Sequence, residues 1–263
     1  QRMLDTLSGR DDFDRLLASQ ITLPSKTHRQ YLMRGLRPGD RADAVVSHYH
    51  WIDSLKNSDL GHALTSPHDQ CIVQFQAKND VTYTVNASSA GKAEREGEST
   101  LWLHDSDNTL LASLTFCVAR SHGRPVLVIG GLQGPRRNVS REAIKQATRA
   151  CHGLFPKRVL MEVIFQLATQ ANIHAIFAVS DEGHVFRALR YRLSKGRHFH
   201  ASYDEFWETL NGRKLSPFGW QLPLQVERKS LEEIAGKTRA ECRRRFTLLD
   251  DIAGSRRFRF PTT

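Results

Sequence analysis

Five runs between residues 71 and 131 carry apolar residues at strand spacing, and this stretch constrains the fold more than any other. Cys71, Val73, Phe75 and Ala77 alternate with polar residues, as do Val81, Tyr83 and Val85, and "KND" between them suits a turn. A two-residue period places one set of side chains on one face of a sheet, so the pair is predicted to be a hairpin. "TLWLHD" and "TLLASLTFCVAR" flank the turn residues "SDN", and "SHG" leads to "RPVLVIGG". These three runs predict an antiparallel meander. Its last strand is apolar at successive positions and should be covered on both faces. "SSAGKAEREGES", between hairpin and meander, reads as an exposed loop.

Helical periods surround this sheet. Residues 11 to 60 read as helical, with Val45, Tyr49 and Ile52 at helical spacing and an acidic first turn in "DRADAVV". Downstream, Ser140 can cap a helix with Ile144, Ala147, Thr148 and Cys151 on one face, ended by Gly153. Pro156 suits the first turn of another, striped by Val159, Leu160, Val163, Ile164, Leu167 and Ala168. "HAIFAVS" is a short buried strand, "DEGHVFRALRYRLSKG" returns to a helical period, and "HFHASYDEFWETLNG" is a loop leading to a short helix. Ser230 and Glu233 fit a capping box that opens an arginine-rich helix running to about Asp251. The expected class is α+β, a mainly antiparallel sheet with flanking helices. The expected parts are a helical N-terminal region (1–66), a core (67–227) and a basic C-terminal helix with its tail (228–263).

The chain of 263 residues has a net charge of +10, and two stretches hold the excess. Arg187, Arg190, Arg192, Lys195 and Arg197 lie together without an acid, and from Arg228 onward ten basic residues face five acidic ones. Such a field favours an acidic partner: acyl carrier protein, tRNA or an anionic lipid surface. A solvated surface that only keeps the protein soluble is the competing explanation. No apolar run reaches the roughly 18 to 20 residues of a membrane span. "QRMLDTLSGRDDFDRLL" carries acids and no apolar segment, so no secretory signal is expected. A cytoplasmic protein follows, at most peripheral to the inner membrane. Cys71, Cys117, Cys151 and Cys242 form no CxxC pair and read as small buried hydrophobes, and no metal-ligand spacing is present.

The most pointed feature is the corner "VLVIGGLQGPRRNVSREAI". Glycines let a backbone approach a ligand closely, and amides at a helix N-terminus bind phosphate oxygens. Gly131, Gln133 and Gly134 would supply the backbone, and Arg136 and Arg137 charge-assisted hydrogen bonds. A strand-to-helix turn whose arginines face water is equally open at this point.

"IGGLQGP", "REAIKQATRACHGLFPKRVLMEVIFQLA", "IFAVSDEGHVF" and "YDEFWETLNG" together resemble the VirK/YbjX family of bacterial proteins, from about Leu101 to Asp251. The resemblance implies a Gram-negative cytosolic protein linked to virulence and envelope integrity, and it transfers no catalytic residue. The order of meander, glycine-bearing corner, helix and strand is similar to that of GNAT acyltransferases. There the loop after the fourth strand grips a cofactor pyrophosphate with backbone amides. Here the glycine spacing departs from the usual Gln/Arg-x-x-Gly-x-Gly/Ala pattern, and two helices split at Pro156 stand where a GNAT has one.

Two functional expectations follow. In the first, the chain is an acyl or aminoacyl transferase whose donor phosphate (of coenzyme A, acyl carrier or aminoacyl-tRNA) sits at the corner, and whose basic helices receive the acidic acyl carrier, coenzyme A or tRNA. Asp181 and His184, between a strand and a helix, would then serve as acid–base groups, and Tyr203 would protonate the leaving group. Asp181 as a simple helix cap is the alternative. In the second, the chain is a non-catalytic module holding RNA or an anionic membrane face through Arg187, Arg190, Arg243, Arg244 and Arg245.

Overall fold

The computed structural model describes residues 2–55, 58–136, 138–186, 202–228, 230, 232 and 234–254. Four helices come first: α1 (Arg2–Ser8), α2 (Phe13–Ser19), α3 (Pro38–Ser54) and α4 (Asp59–Thr65). Five strands follow: β1 (Gln70–Gln76), β2 (Thr82–Ser89), β3 (Ser99–His104), β4 (Leu110–Ser121) and β5 (Arg124–Gln133). Then come α5 (Arg141–Ala150), α6 (Pro156–Gln170), β6 (Ala175–Val179), α7 (Tyr203–Thr209), β7 (Arg213–Ser216), β8 (Gly219–Leu222) and α8 (Gly236–Gly254). The class is α+β, with the strands in one sheet ordered β1-β2-β3-β4-β5-β6-β8-β7. Its described neighbours are antiparallel except β5 and β6, which α5 and α6 connect in parallel.

The sheet divides two apolar layers, and β4 and β5 show why their sequences read as continuous hydrophobic runs. Phe116, Val118, Leu127 and Ile129 face a core shared with Leu160, Ile164 and Leu167 of α6. Cys117 and Val128 face the opposite layer, made with Leu16, Leu23, Val45 and Tyr49. Each aliphatic side chain that α6 buries is worth about 1.5–3 kcal/mol, which sets this helix firmly across the sheet.

Several expectations need correction. The stretch 11–60 is not one helical zone: after a 3-10 turn at Leu23–His28 the chain runs without helix to Arg37, and Pro38 reopens α3. "SSAGKAEREGES" is no exposed loop, because Ser88, Ser89, Ala90, Glu96 and Glu98 are buried. The basic helix starts at Gly236, with Thr238 and Arg239 N–H donating to Ala235, well after Ser230; Glu233 lies outside the described residues. Asp181–Phe186 form turns rather than a helix, and the remainder of that expected helix lies outside the described residues. The β7–β8 hairpin was not foreseen.

The buried Glu98 ties the N-terminal segment to the sheet. Its carboxylate receives Lys26 Nζ at 2.5 Å, Tyr31 Oη at 2.6 Å and Tyr49 Oη at 2.8 Å. Gln20 accepts from Lys26 and donates to Ser89 Oγ at 2.9 Å. Burial and the adjacent Glu98 carboxylate push both tyrosine pKa values well above their usual range, so the phenols stay protonated as donors.

Candidate functional site

The site lies where the two parallel strands separate. β5 and β6 pair from Val126 and Ala175 as far as Ile129 and Ala178. β6 then ends at Val179 while β5 continues to Gln133. Opposite β4 the register shifts between Ile129 and Gly131, so Gly130 is the extra residue of a bulge. Crevices beyond the carboxyl ends of such strands are where open sheets collect functional groups.

The glycine pair has a definite neighbour. A Cβ on Gly130 would lie 1.9 Å from the Glu96 carbonyl oxygen, and one on Gly131 would lie 2.0 Å from Glu96 Oε2. An anion does sit against this backbone, and it is the chain's own carboxylate. Glu96 Oε1 meets His184 Nε2 at 2.9 Å, with both side chains nearly buried. His184 Nδ1 accepts weakly from Phe186 N–H at 3.4 Å.

Tyr203 closes the cluster at the first residue of α7. Its oxygen accepts from Leu132 N–H at 3.2 Å and from Gln133 Nε2 at 2.9 Å. Its ring is 5.3 Å from that of His184 and stacks on Trp207, whose indole N–H donates to the Val179 carbonyl at 2.8 Å. Asp181 supports the first turn of α7. Its carboxylate accepts from Ser202 Oγ and from Tyr203 N–H, while Asp204 accepts from Asp181 N–H at 2.9 Å. Burial pushes the Asp204 carboxyl up, but Lys214, the Asp181 N–H and Trp220 together hold it below its ordinary value.

A clasp from the N-terminal region fixes the two loops that meet here. Leu32 N–H donates to the Arg95 carbonyl at 2.8 Å, and Arg34 N–H donates to the Gly183 carbonyl at 2.9 Å. Each acceptor immediately precedes a member of the Glu96–His184 pair. Between them Met33 N–H bonds back to Tyr31, and Leu32 holds a left-handed φ of 60°. A non-glycine residue in that region is strained, and the surrounding bonds hold it there.

The outer end of the corner has a different character. Gly134 faces Lys157 at the start of α6: a Cβ on the glycine would lie 3.9 Å from Lys157 Cε. Burial lowers the pKa of this ammonium, against the pull of Asp181. Arg136 is exposed. Arg245 Nε donates to the His152 carbonyl at 2.7 Å, closing the end of α5. Arg244 pairs with Glu241 at 3.3 Å, and Arg243 is exposed.

Of the expected site residues, Gly131, Gln133, His184 and Tyr203 are thus brought together, with Asp181 behind them and Gly134 and Arg136 at the outer edge. Arg243, Arg244 and Arg245 lie on α8, while Arg137, Arg187 and Arg190 lie outside the described residues. Sequence reasoning missed Glu96 and Lys157. The available signal for Glu96 was the glycine pair itself, since paired glycines on a buried strand need something packed on them.

This chain matches a protein family over residues 1–257, the family described as "Protein of unknown function (DUF535)". The chain belongs to that VirK/YbjX family. It is 36% identical to the Escherichia coli protein titled "Uncharacterized protein YbjX" over 250 residues, covering 95% of this chain and 75% of that one. A Haemophilus influenzae protein titled "Uncharacterized protein" is 38% identical over 128 residues, covering 48% and 42% of the two chains. Another from that organism is 29% identical over 153 residues, covering 58% and 48%. The family label covers the whole sheet and all the site residues named above. Among the described residues no helix is long and apolar enough to cross a membrane, and no group of three His, Cys, Asp or Glu is placed to hold a metal.

Proposed function

We propose that this VirK/YbjX-family protein is an acyl or aminoacyl transferase with a GNAT-like core, acting where β5 and β6 part. The observation that carries the reading is the convergence of Leu132 N–H and the Gln133 amide on one oxygen, Tyr203 Oη, beside the Glu96–His184 pair. Two fixed donors aimed at one point are what a developing oxyanion requires. A ligand carbonyl that displaced the phenol oxygen would inherit both. The parallel β5–β6 pair after an antiparallel meander also supports the GNAT-like reading.

The donor is a phosphate-bearing carrier of the acyl group: coenzyme A, acyl carrier protein or aminoacyl-tRNA. Its phosphate would lie at Gly134, Arg136 and Arg137, with Lys157 beneath. An amine or hydroxyl of the acceptor attacks the donor carbonyl carbon and loses its proton to Glu96, which His184 orients. Collapse of the tetrahedral intermediate breaks the carbonyl C–S or C–O bond. Tyr203 gives its proton to the departing sulfur or oxygen, and the proton held by Glu96 restores the phenol through solvent. Asp181 holds the first turn of α7 and so keeps Tyr203 in place.

The test is thermal denaturation with coenzyme A, acyl carrier protein and aminoacyl-tRNA in turn. A true donor at a hundredfold excess over its Kd stabilises by about 2.7 kcal/mol. Arg136→Ala with Arg137→Ala should remove that stabilisation. Tyr203→Phe should keep it and slow transfer by about 10²- to 10⁴-fold. The reading is abandoned if none of the three donors moves the transition.

A further inference from the structure

We infer that the outer face of α5, together with the start of α8, is the landing surface for an acidic carrier protein that presents the acyl group on a phosphate-bearing arm. This rests on the transferase reading and narrows its donors from three kinds to one.

Arg141, Lys145 and Arg149 recur at four-residue spacing and therefore share one side of α5. The side chains of Lys145 and Arg149 are 65% and 75% exposed, and both lean on a single carboxylate, Glu142, at 4.0 and 3.6 Å. On α8, Arg239, Arg243 and Arg244 are exposed, and Glu241 divides itself between His152 at 3.0 Å and Arg244 at 3.3 Å. The bond from Arg245 to the His152 carbonyl joins the two helices into one surface. On α5 and the start of α8 six exposed cations outnumber the two carboxylates, Glu142 and Glu241, while Asp105 and Asp107 share a hollow with Arg149 at the edge.

The surface flanks the corner along the chain. α5 begins five residues after Arg136, and Phe155, 62% exposed, stands two residues before Lys157. Free coenzyme A would need only the corner. A donor attached to an acidic protein needs a basic face beside the corner, and this face adjoins it. The face also fits protein better than nucleic acid. α5 is about 15 Å long, the reach of one partner helix. Phe155, an exposed aromatic close in the chain to the basic α5, is of the residue type that anchors protein interfaces.

The experiment measures binding of purified bacterial acyl carrier protein in its apo form, without the prosthetic arm, at low and high salt. The expected result is binding that weakens as salt rises. Arg141→Glu/Lys145→Glu/Arg149→Glu should weaken it at least about tenfold, and Phe155→Ser should weaken it independently of salt. Both variants should keep the unaltered protein's melting temperature and whatever stabilisation coenzyme A gives. The inference is overturned if the apo carrier does not bind, if the charge reversal leaves binding unchanged, or if tRNA displaces the carrier from these residues. Stabilisation by coenzyme A without carrier binding sinks this inference and spares the transferase reading. Carrier binding through these residues without transfer to any acceptor spares the surface and sinks the chemistry.

Discussion

Alanine placed at Gly131 and at Gly134 should have opposite consequences, although the two glycines stand three residues apart in one motif. At Gly131 the new methyl would lie 2.0 Å from Glu96 Oε2, so the carboxylate must retreat by about 1.4 Å to reach ordinary contact. The carboxylate is buried, and a retreat of that size pulls on the 2.9 Å bond that Oε1 makes to His184. Losing a charge-assisted hydrogen bond costs about 1.5–3 kcal/mol and overpacking a filled interior about 1–3 kcal/mol. Gly131→Ala should therefore lower stability by about 3 kcal/mol. At Gly134 the nearest atom to a new Cβ is Lys157 Cε at 3.9 Å, which is ordinary contact. Gly134→Ala should stay within about 1 kcal/mol of the parent, with unfolded-state entropy favouring the alanine. Urea denaturation followed by tryptophan fluorescence reads both. Glu96→Ala combined with Gly131→Ala should cost less than the two changes summed, because the clash has gone. Equal costs at the two glycines, or additivity in the double variant, would refute the packing argument.

Three further outcomes are expected. Lys26→Met leaves Glu98 buried with only tyrosine partners and should cost about 3 kcal/mol by the same denaturation assay. His48 accepts from Val118 N–H at 3.0 Å, and burial, aided by Lys26 and Arg10, holds its pKa down at about 3. Its neutral form therefore favours the fold fully above pH 6.5, and stability should fall as pH drops towards 3, by up to about 1.4 kcal/mol per unit. His48→Gln should flatten that part of the urea-midpoint profile. Burial pushes the Cys117 thiol up, and that of Cys151 to about 12, so alkylation of the native protein should be confined to Cys71 and Cys242 by mass spectrometry.

Local periodicity carried the fold a long way. The hairpin, the meander and α6 were legible because one period held for a whole element and one face was buried. The β7–β8 hairpin was not, since Arg213–Ser216 is exposed throughout and has no apolar alternation to read. At the site, Gln133, His184 and Tyr203 stood out by position. Glu96 did not, because its burial depends on partners 88 residues away at His184 and on two glycines of β5. A polar loop sequence looks the same whether water or a buried histidine receives its carboxylate. Asp181 was read as the cap of the helix after it, which lies outside the described residues; its bond to Tyr203 N–H of α7 is made by the tertiary fold and leaves no local signal.

The clasp at Leu32 and Arg34 bears on how the protein is made. Arg34 emerges from the ribosome long before its acceptors: the side chain's bond to the Glu182 carbonyl spans 148 residues. At about 5–20 residues per second, synthesis of the intervening chain takes roughly 7–30 s. Glu98, which receives Lys26 and Tyr31, is made partway through that interval, but Gly183, which receives Arg34 N–H, is made only at its end. The pairing of Glu96 with His184 is thus a late event of biosynthesis, and a nascent chain stalled before Gly183 holds no assembled centre.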